Sequence, residues 1–158
     1  MPDSHNAISN LLYEYTHRFD LGDFEGAAEL FKNARIKVGD DTWIDHEQLL
    51  ANWRNMVIIY DDGTPKTKHT CTNPIIEIDE DNNRAATRSY YVVYQQTATL
   101  PLQAVAAGRY YDSFERVDNV WRFSERNYSL LDMMGNMKDH LRNWEQIRQR
   151  QTGAEIPS

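Results

Sequence analysis

Tyr15 and Asp20 stand five residues apart in Tyr15-Thr-His-Arg-Phe-Asp20, and His69 follows in Lys68-His-Thr-Cys-Thr-Asn-Pro74. A phenol, a carboxylate and an imidazole suffice to move protons on a small organic molecule. An imidazole is the best general base near neutral pH, and a carboxylate can orient it. A phenol donates a hydrogen bond to an oxygen that gains charge. No metal-binding or nucleotide-binding motif competes with these three. His17, His46 and His140 fall on helix candidates and His5 in the terminal arm, none with a second ligand at metal spacing, so no metal site is read. No cofactor is expected.

Spacing limits how Tyr15 and Asp20 act together. Five residues turn a helix by about 500°, which sets the two side chains about 140° apart. They share a face only if Asp20 sits at or past the helix end, and Leu21-Gly22 provides such a break. Arg88, Tyr90, Arg109, Tyr111 and Arg126 alternate along later strand candidates, and alternation sends them to one face. That face is either the pocket wall or the solvent side. Arg88, Tyr90, Arg109 and Trp53 are the residues expected to contact a ligand. Cys71 shares the parity of His69, but adjacent same-face strand residues make a poor nucleophile–base pair.

The elements that position these groups follow from periodicity. Residues 4–20 read as an amphipathic helix, with Ser4 as N-cap and Ile8, Leu11, Leu12, Tyr15 and Phe19 at three- and four-residue steps. Asp23 caps a shorter helix and Asp45 a third over 46–57. Arg35–Val38 is a short strand candidate. From Lys68 the period changes to two, giving strands over 68–79, 84–97, 103–116 and 121–131, joined by polar turns. Residues 137–149 are expected to form a last helix with Leu141, Trp144 and Ile147. Residues 1–150 read as one domain and 151–158 as a disordered tail. Helices followed by an antiparallel meander make an α+β pattern, in which a curved sheet around its helices leaves a pocket.

Composition narrows the class further. The chain has 158 residues, 41% of them hydrophobic, and a formal charge of -7. That content supports a folded core, and the negative charge argues against nucleic acid as a partner. The single cysteine excludes an internal disulfide. No apolar run nears the roughly 18 residues of a membrane span, and Met-Pro-Asp-Ser-His lacks a signal-peptide pattern, so a cytoplasmic protein is expected.

Several stretches carry a resemblance. Tyr15-x4-Asp20-x2-Asp23-Phe24 leads to Ala28-Glu29-Leu30-Phe31, and Lys68-His69-x3-Asn73 follows. The ending has Gly108-Arg109-Tyr110-Tyr111-Asp112, Trp121-Arg122-Phe123 and Glu125-Arg126. Over roughly residues 5–140 the sequence resembles the SnoaL-like branch of the nuclear transport factor 2 superfamily. The resemblance implies a conical, cystatin-like barrel of helices and curved sheet. Within that branch it resembles scytalone dehydratase, bile-acid 7α-dehydratase and lindane dehydrochlorinase in active-site layout. By that likeness His69 matches the catalytic histidine, Asp20 the acid that orients it, and Tyr15 the tyrosine of the two dehydratases. The strand around 88–94 departs from the pattern, with Arg88 and Tyr90 where some dehydratases place another polar catalytic group.

The expected function is a cofactor-free lyase or isomerase on a small hydrophobic, hydroxylated or cyclic metabolite, with dehydration first. Two other classes stand beside it. One is a non-catalytic subunit similar to the small β subunits of ring-hydroxylating dioxygenases, suggested by Arg126-x3-Leu130-Leu131-Asp132. The other is a simple ligand carrier. A homodimer or homotrimer formed through the outer sheet face is expected in each case.

Overall fold

The computed structural model describes residues 3–152. Helix α1 (Ser4–Asp20) buries Ile8, Leu12, Tyr15 and Phe19 on one stripe. Its N-cap is Asp3, not Ser4: the Asp3 carboxylate accepts from His5 N at 3.0 Å. Ser4 instead accepts a hydrogen bond from the Trp121 indole at 3.0 Å, which ties the start of the helix to the sheet. Helix α2 (Phe24–Glu29) begins at Asp23, whose side chain accepts from Gly26 N. Helix α3 (His46–Met56) opens with a reciprocal capping box between Asp45 and Gln48.

The strands are β1 (Arg35–Gly39), β2 (Thr42–Ile44), β3 (Thr67–Asp79), β4 (Arg84–Gln95), β5 (Gln103–Val117), β6 (Val120–Asn127) and β7 (Leu131–Met134). They form one mixed sheet in the order β2-β1-β6-β5-β4-β3, with β7 paired to β5. The expected four-strand meander forms one end of it, with β3 at the edge, and the pairing of β1 with β6 is parallel. Helix α1 packs against both β3 and β6, which have two strands between them. A sheet can meet one helix at both places only by curling around it. The α+β cone is therefore built on α1 as its filling, with α2 packed between α1 and α3, and α3 against β1.

Two segments depart from the periodic reading. The strand expected over 121–131 breaks after Asn127 and resumes as β7. The helix expected over 137–149 begins only at α4 (Trp144–Thr152), with 138–143 in turns and one bridge. Those preceding residues are used to finish α3. Arg142 N donates to Met56 O at 2.9 Å, and the Arg142 guanidinium donates to the carbonyls of Asn55 and Val57, both at 3.1 Å. Leu141 bridges to Val57. A basic side chain satisfying the last carbonyls of a helix is a favourable end to it. Helix α4 runs to Thr152, and the tail expected over 151–158 lies, from residue 153 on, outside the described residues. None of the described helices is long and apolar enough to cross a membrane.

Candidate active site

The site starts at a glycine. Gly22 has φ +80°, and a Cβ there would meet Gly63 O at 2.0 Å. Only glycine allows both the left-handed backbone and that approach. The contact locks the end of α1 against the loop that feeds β3. Asp20, the last residue of α1, is thereby brought to the first residues of β3 and buried there.

Three groups hold the Asp20 carboxylate. Oδ1 accepts from Thr67 Oγ1 at 2.8 Å and lies 2.6 Å from His69 Nδ1. Oδ2 accepts from His69 N at 2.7 Å. Burial alone would raise the carboxyl, but the hydrogen bonds and charge of His69, with Thr67, outweigh it and hold Asp20 below the ordinary carboxylate range. The side chains of His69 and Asp20 are only 5% and 8% exposed.

His69 forms part of the wall of a cavity of about 360 Å³. Phe19, Trp53, Val57, Val93 and Met137 give that wall its apolar character, and Asn52, Ser129, Tyr91 and Tyr128 supply scattered polar atoms. Such a lining, with few convergent polar groups, is the usual make-up of a small-molecule site. Among the described residues no cluster of three or more His, Cys, Asp or Glu could hold a metal ion.

Tyr15 takes another place. Its ring is fully buried, and its hydroxyl pairs with the Tyr128 hydroxyl at 2.8 Å. The Asp20 carboxylate turns to the start of β3, while the Tyr15 ring lies edge-on to both Tyr110 of β5, at 5.9 Å between centroids, and His69 of β3, at 6.5 Å. Tyr128 is the member of this phenol pair that lines the cavity.

Of the four residues expected to contact a ligand, only Trp53 lines the cavity. Arg88, Tyr90 and Arg109 stand on the outer face of the sheet. Tyr90 is 56% exposed, Arg88 lies 3.7 Å from Glu77, and Arg109 is held by both oxygens of Asp132 at 2.8 and 2.9 Å. On β4 the odd-numbered residues Ala85, Thr87, Ser89, Tyr91 and Val93 turn inward, so 88 and 90 turn out. The register pairs Tyr90 with Arg109 and Arg88 with Tyr111, which carries all four to the convex side. Arg126 breaks from this group. A bulge between Ser113 and Phe114 sets it opposite Asp112 on the inner side. Cys71 also points inward but hydrogen-bonds Ser89, not His69.

The sequence reading passed over His140. Placed on a helix candidate, it sits in the turn before α4, lines the same cavity and is 6% exposed. Its ring centroid is 6.2 Å from that of His69. Burial, and then the charge of His69, push its pKa down to about 3. Its only sequence signal was a histidine four and seven residues before Trp144 and Ile147, on the apolar stripe of a helix candidate, where it reads as an ordinary core position.

No protein of curated function matches the chain in sequence. Its fold is similar to that of a protein of unknown function from Mycobacterium tuberculosis, at 24% identity over 82% of this chain and 72% of that one, with a TM-score of 0.63. A candidate scytalone dehydratase from Novosphingobium aromaticivorans is similar at 20% identity, covering 82% of this chain and 84% of that one, with a TM-score of 0.61. The beta subunit of a candidate aromatic-ring-hydroxylating dioxygenase from the same organism matches at 17% identity over 85% and 94%, with a TM-score of 0.63. Other neighbours are described as cystatin-like and NTF2-like. A family model for the SnoaL-like domain matches residues 3–127, which include α1, β3 and the Asp20–His69 pair; the chain belongs to the SnoaL-like domain family, with its NTF2-like, cystatin-like cone.

Proposed function

We propose that the cavity is a cofactor-free acid–base site that removes water from, or isomerises, a small hydrophobic cyclic molecule. The observation that carries this reading is the 2.6 Å contact of Asp20 with His69 Nδ1 at the wall of an apolar cavity. With Nδ1–H donating to the carboxylate, Nε2 keeps its lone pair for a ligand proton. His69 Nε2 takes a proton from the carbon beside a carbonyl. The released electron pair forms the carbon–carbon double bond as the β-hydroxyl leaves, and the imidazolium returns the proton to that oxygen as water. Asp20 fixes the tautomer and stabilises the imidazolium, as the acid does in hydrolase triads. The low polarity of the wall strengthens both interactions. Tyr15 acts one step back, by orienting the Tyr128 hydroxyl.

A non-catalytic subunit or a carrier needs a cone but no buried acid–imidazole pair at a cavity wall, so this geometry favours the enzyme reading. Self-association is proposed through the convex face, where Ile75, Tyr90, Tyr94, Tyr111 and Met133 stand exposed. The test of the catalytic reading is a panel of cyclic β-hydroxy ketones incubated in heavy water and followed by mass spectrometry. Loss of water or deuterium uptake by the wild type, absent in His69→Ala, is the expected result. Equal turnover by the two proteins, or none by either, overturns it.

A further inference from the structure

We propose that His140 is a second working side chain of this site: a neutral imidazole whose Nε2–H donates to the ligand's carbonyl oxygen, selecting carbonyl-bearing molecules for the cavity. The proposal rests on the acid–base reading of His69 and deepens it by naming the ligand's polar group.

The geometry begins with what His140 lacks. Its Nδ1 is buried with no hydrogen-bond partner among the described residues. A donor buried without an acceptor costs more than a bare lone pair, so the unpartnered Nδ1 bears on the tautomer of the ring and not on a ligand contact of its own. A neutral imidazole carries a single N–H. At Nδ1 that hydrogen would have no acceptor, whereas at Nε2 it can meet a ligand oxygen in the cavity. The backbone holds the ring in place: His140 N donates to Met137 O at 3.0 Å, and His140 O accepts from Ile58 N at 2.9 Å. Phe19 lies edge-on to the ring at 6.4 Å between centroids, and to His69 at 4.8 Å.

Distance allows the two imidazoles to act on one molecule. An oxygen hydrogen-bonded to a ring nitrogen sits about 4 Å from that ring's centroid. The His69–His140 separation of 6.2 Å therefore accommodates a ligand whose carbonyl oxygen meets one ring and whose adjacent C–H meets the other. Charge decides which ring does what. His69 is paired with Asp20 and suited to accept a proton. Burial and the neighbouring His69 keep His140 unprotonated near neutral pH, with a pKa of about 3. A neutral imidazole that polarises a carbonyl is an established electrophile, because it donates a hydrogen bond without competing for the base's proton.

A second observation points the same way. The family match ends at residue 127, yet Met137, His140, Leu141, Ile147 and Arg150 all line the cavity. The catalytic pair belongs to the shared domain, while part of the wall facing it is supplied by the segment that follows. The group that meets the ligand's oxygen thus comes from a stretch outside the residues that the family model matches.

The experiment uses the full chain, with β-tetralone as the ketone probe and tetralin as its hydrocarbon counterpart. Binding is followed by tryptophan fluorescence, since Trp53 lines the cavity. Wild type is expected to prefer the ketone by roughly five- to tenfold, the worth of one hydrogen bond. His140→Leu should lose that preference, and His140→Gln, which keeps an N–H donor, should retain most of it. Heteronuclear NMR of the wild-type imidazoles should show His140 as the Nε2–H tautomer at neutral pH. A Nδ1–H tautomer, a protonated ring, or an unchanged preference in a folded His140→Leu protein overturns the proposal. If His140→Leu does not fold, the wild-type tautomer decides. Deuterium exchange at the carbon beside the β-tetralone carbonyl separates the two readings. During exchange the C–H proton passes to His69 Nε2, the electron pair moves into the enolate oxygen held by His140, and a solvent deuteron returns to carbon. Exchange lost in His69→Ala but unchanged in His140→Leu ends the role of His140 and leaves the base standing. Absent exchange in wild type removes the base, while the ketone preference and the tautomer still judge His140.

Discussion

Two buried acid–base pairs sit inside the same cone, and they have different fates. Asp20–His69 lies where α1 meets the start of β3 and opens onto the cavity. Asp112–Arg126 lies deeper, between β5 and β6, with both side chains fully buried and joined by hydrogen bonds of 2.7 and 3.0 Å. The Arg126 guanidinium is stacked among Tyr15, Phe31, Tyr110 and Phe123, its carbon 4.0 Å from the Tyr110 ring centre. Burial works against its charge, but Asp112 outweighs burial and raises its pKa. Such a group exchanges no proton at any ordinary pH. The lesson is that burial and pairing do not make a site. A titratable partner and access to a cavity do, and only the first pair has both.

The sharpest way to break the comparison is at the sealed pair. Arg126→Ala leaves Asp112 uncompensated and should cost about 3–5 kcal/mol of stability, measured by urea denaturation. Replacing the pair together, with Arg126→Met and Asp112→Leu, should recover most of that loss. A single variant as stable as wild type would show that the pair is not structural.

At the open pair the cost should appear in rate. His69→Ala should slow turnover about a hundredfold to ten-thousandfold on whichever panel substrate reacts, with a native circular dichroism spectrum. Asp20→Asn should be slower too, because the amide cannot accept from Nδ1–H, His69 N and Thr67 as the carboxylate does. It should also lose about 1–3 kcal/mol of stability for the buried donors left unmatched.

Acid should distinguish the two regions. The folded His140 has a pKa near 3, below its ordinary 6.5, so the unfolded chain binds that proton first as pH falls. Stability from this group is complete above about pH 6.5 and declines by up to about 1.4 kcal/mol per pH unit down to pH 3. Asp20, held low by His69 and Thr67, adds a loss of the same sign as pH drops through its folded value. His140→Gln should therefore flatten the stability profile between pH 5 and 6.5, as read by thermal melts. Arg126→Met with Asp112→Leu keeps His140, so the decline that His140 contributes should persist in that variant.

The smallest effect is expected where the two regions touch. Tyr15→Phe keeps the ring under Arg126 and removes only the hydroxyl that meets Tyr128. A loss of about 1 kcal/mol in stability, with a modest drop in rate, is expected from guanidinium melts and steady-state kinetics.

The sequence by itself determined the first three helices and the central strands, the break after Asp20, and the place of His69 at the head of a long strand. These are local facts, written in caps, glycine and period: Asp23 and Asp45 cap where expected, and Gly22 ends α1 because no other residue fits its backbone. Which face of each strand looks inward was not local. Alternation put Arg88, Tyr90 and Arg109 together correctly, yet only the curl of the sheet around α1 decided that their side was the outer one. A one-residue bulge moved Arg126 opposite Asp112, where an unbroken hairpin from Val117 and Val120 would have set Glu125. His140 was invisible for the same reason. Its segment has helical spacing, but the chain spends those residues on capping α3, and that long-range bargain turns an unremarked histidine toward the cavity. Periodicity is decided by neighbours within a few residues, whereas register, curvature and cavity walls are decided by contacts between segments far apart in the chain.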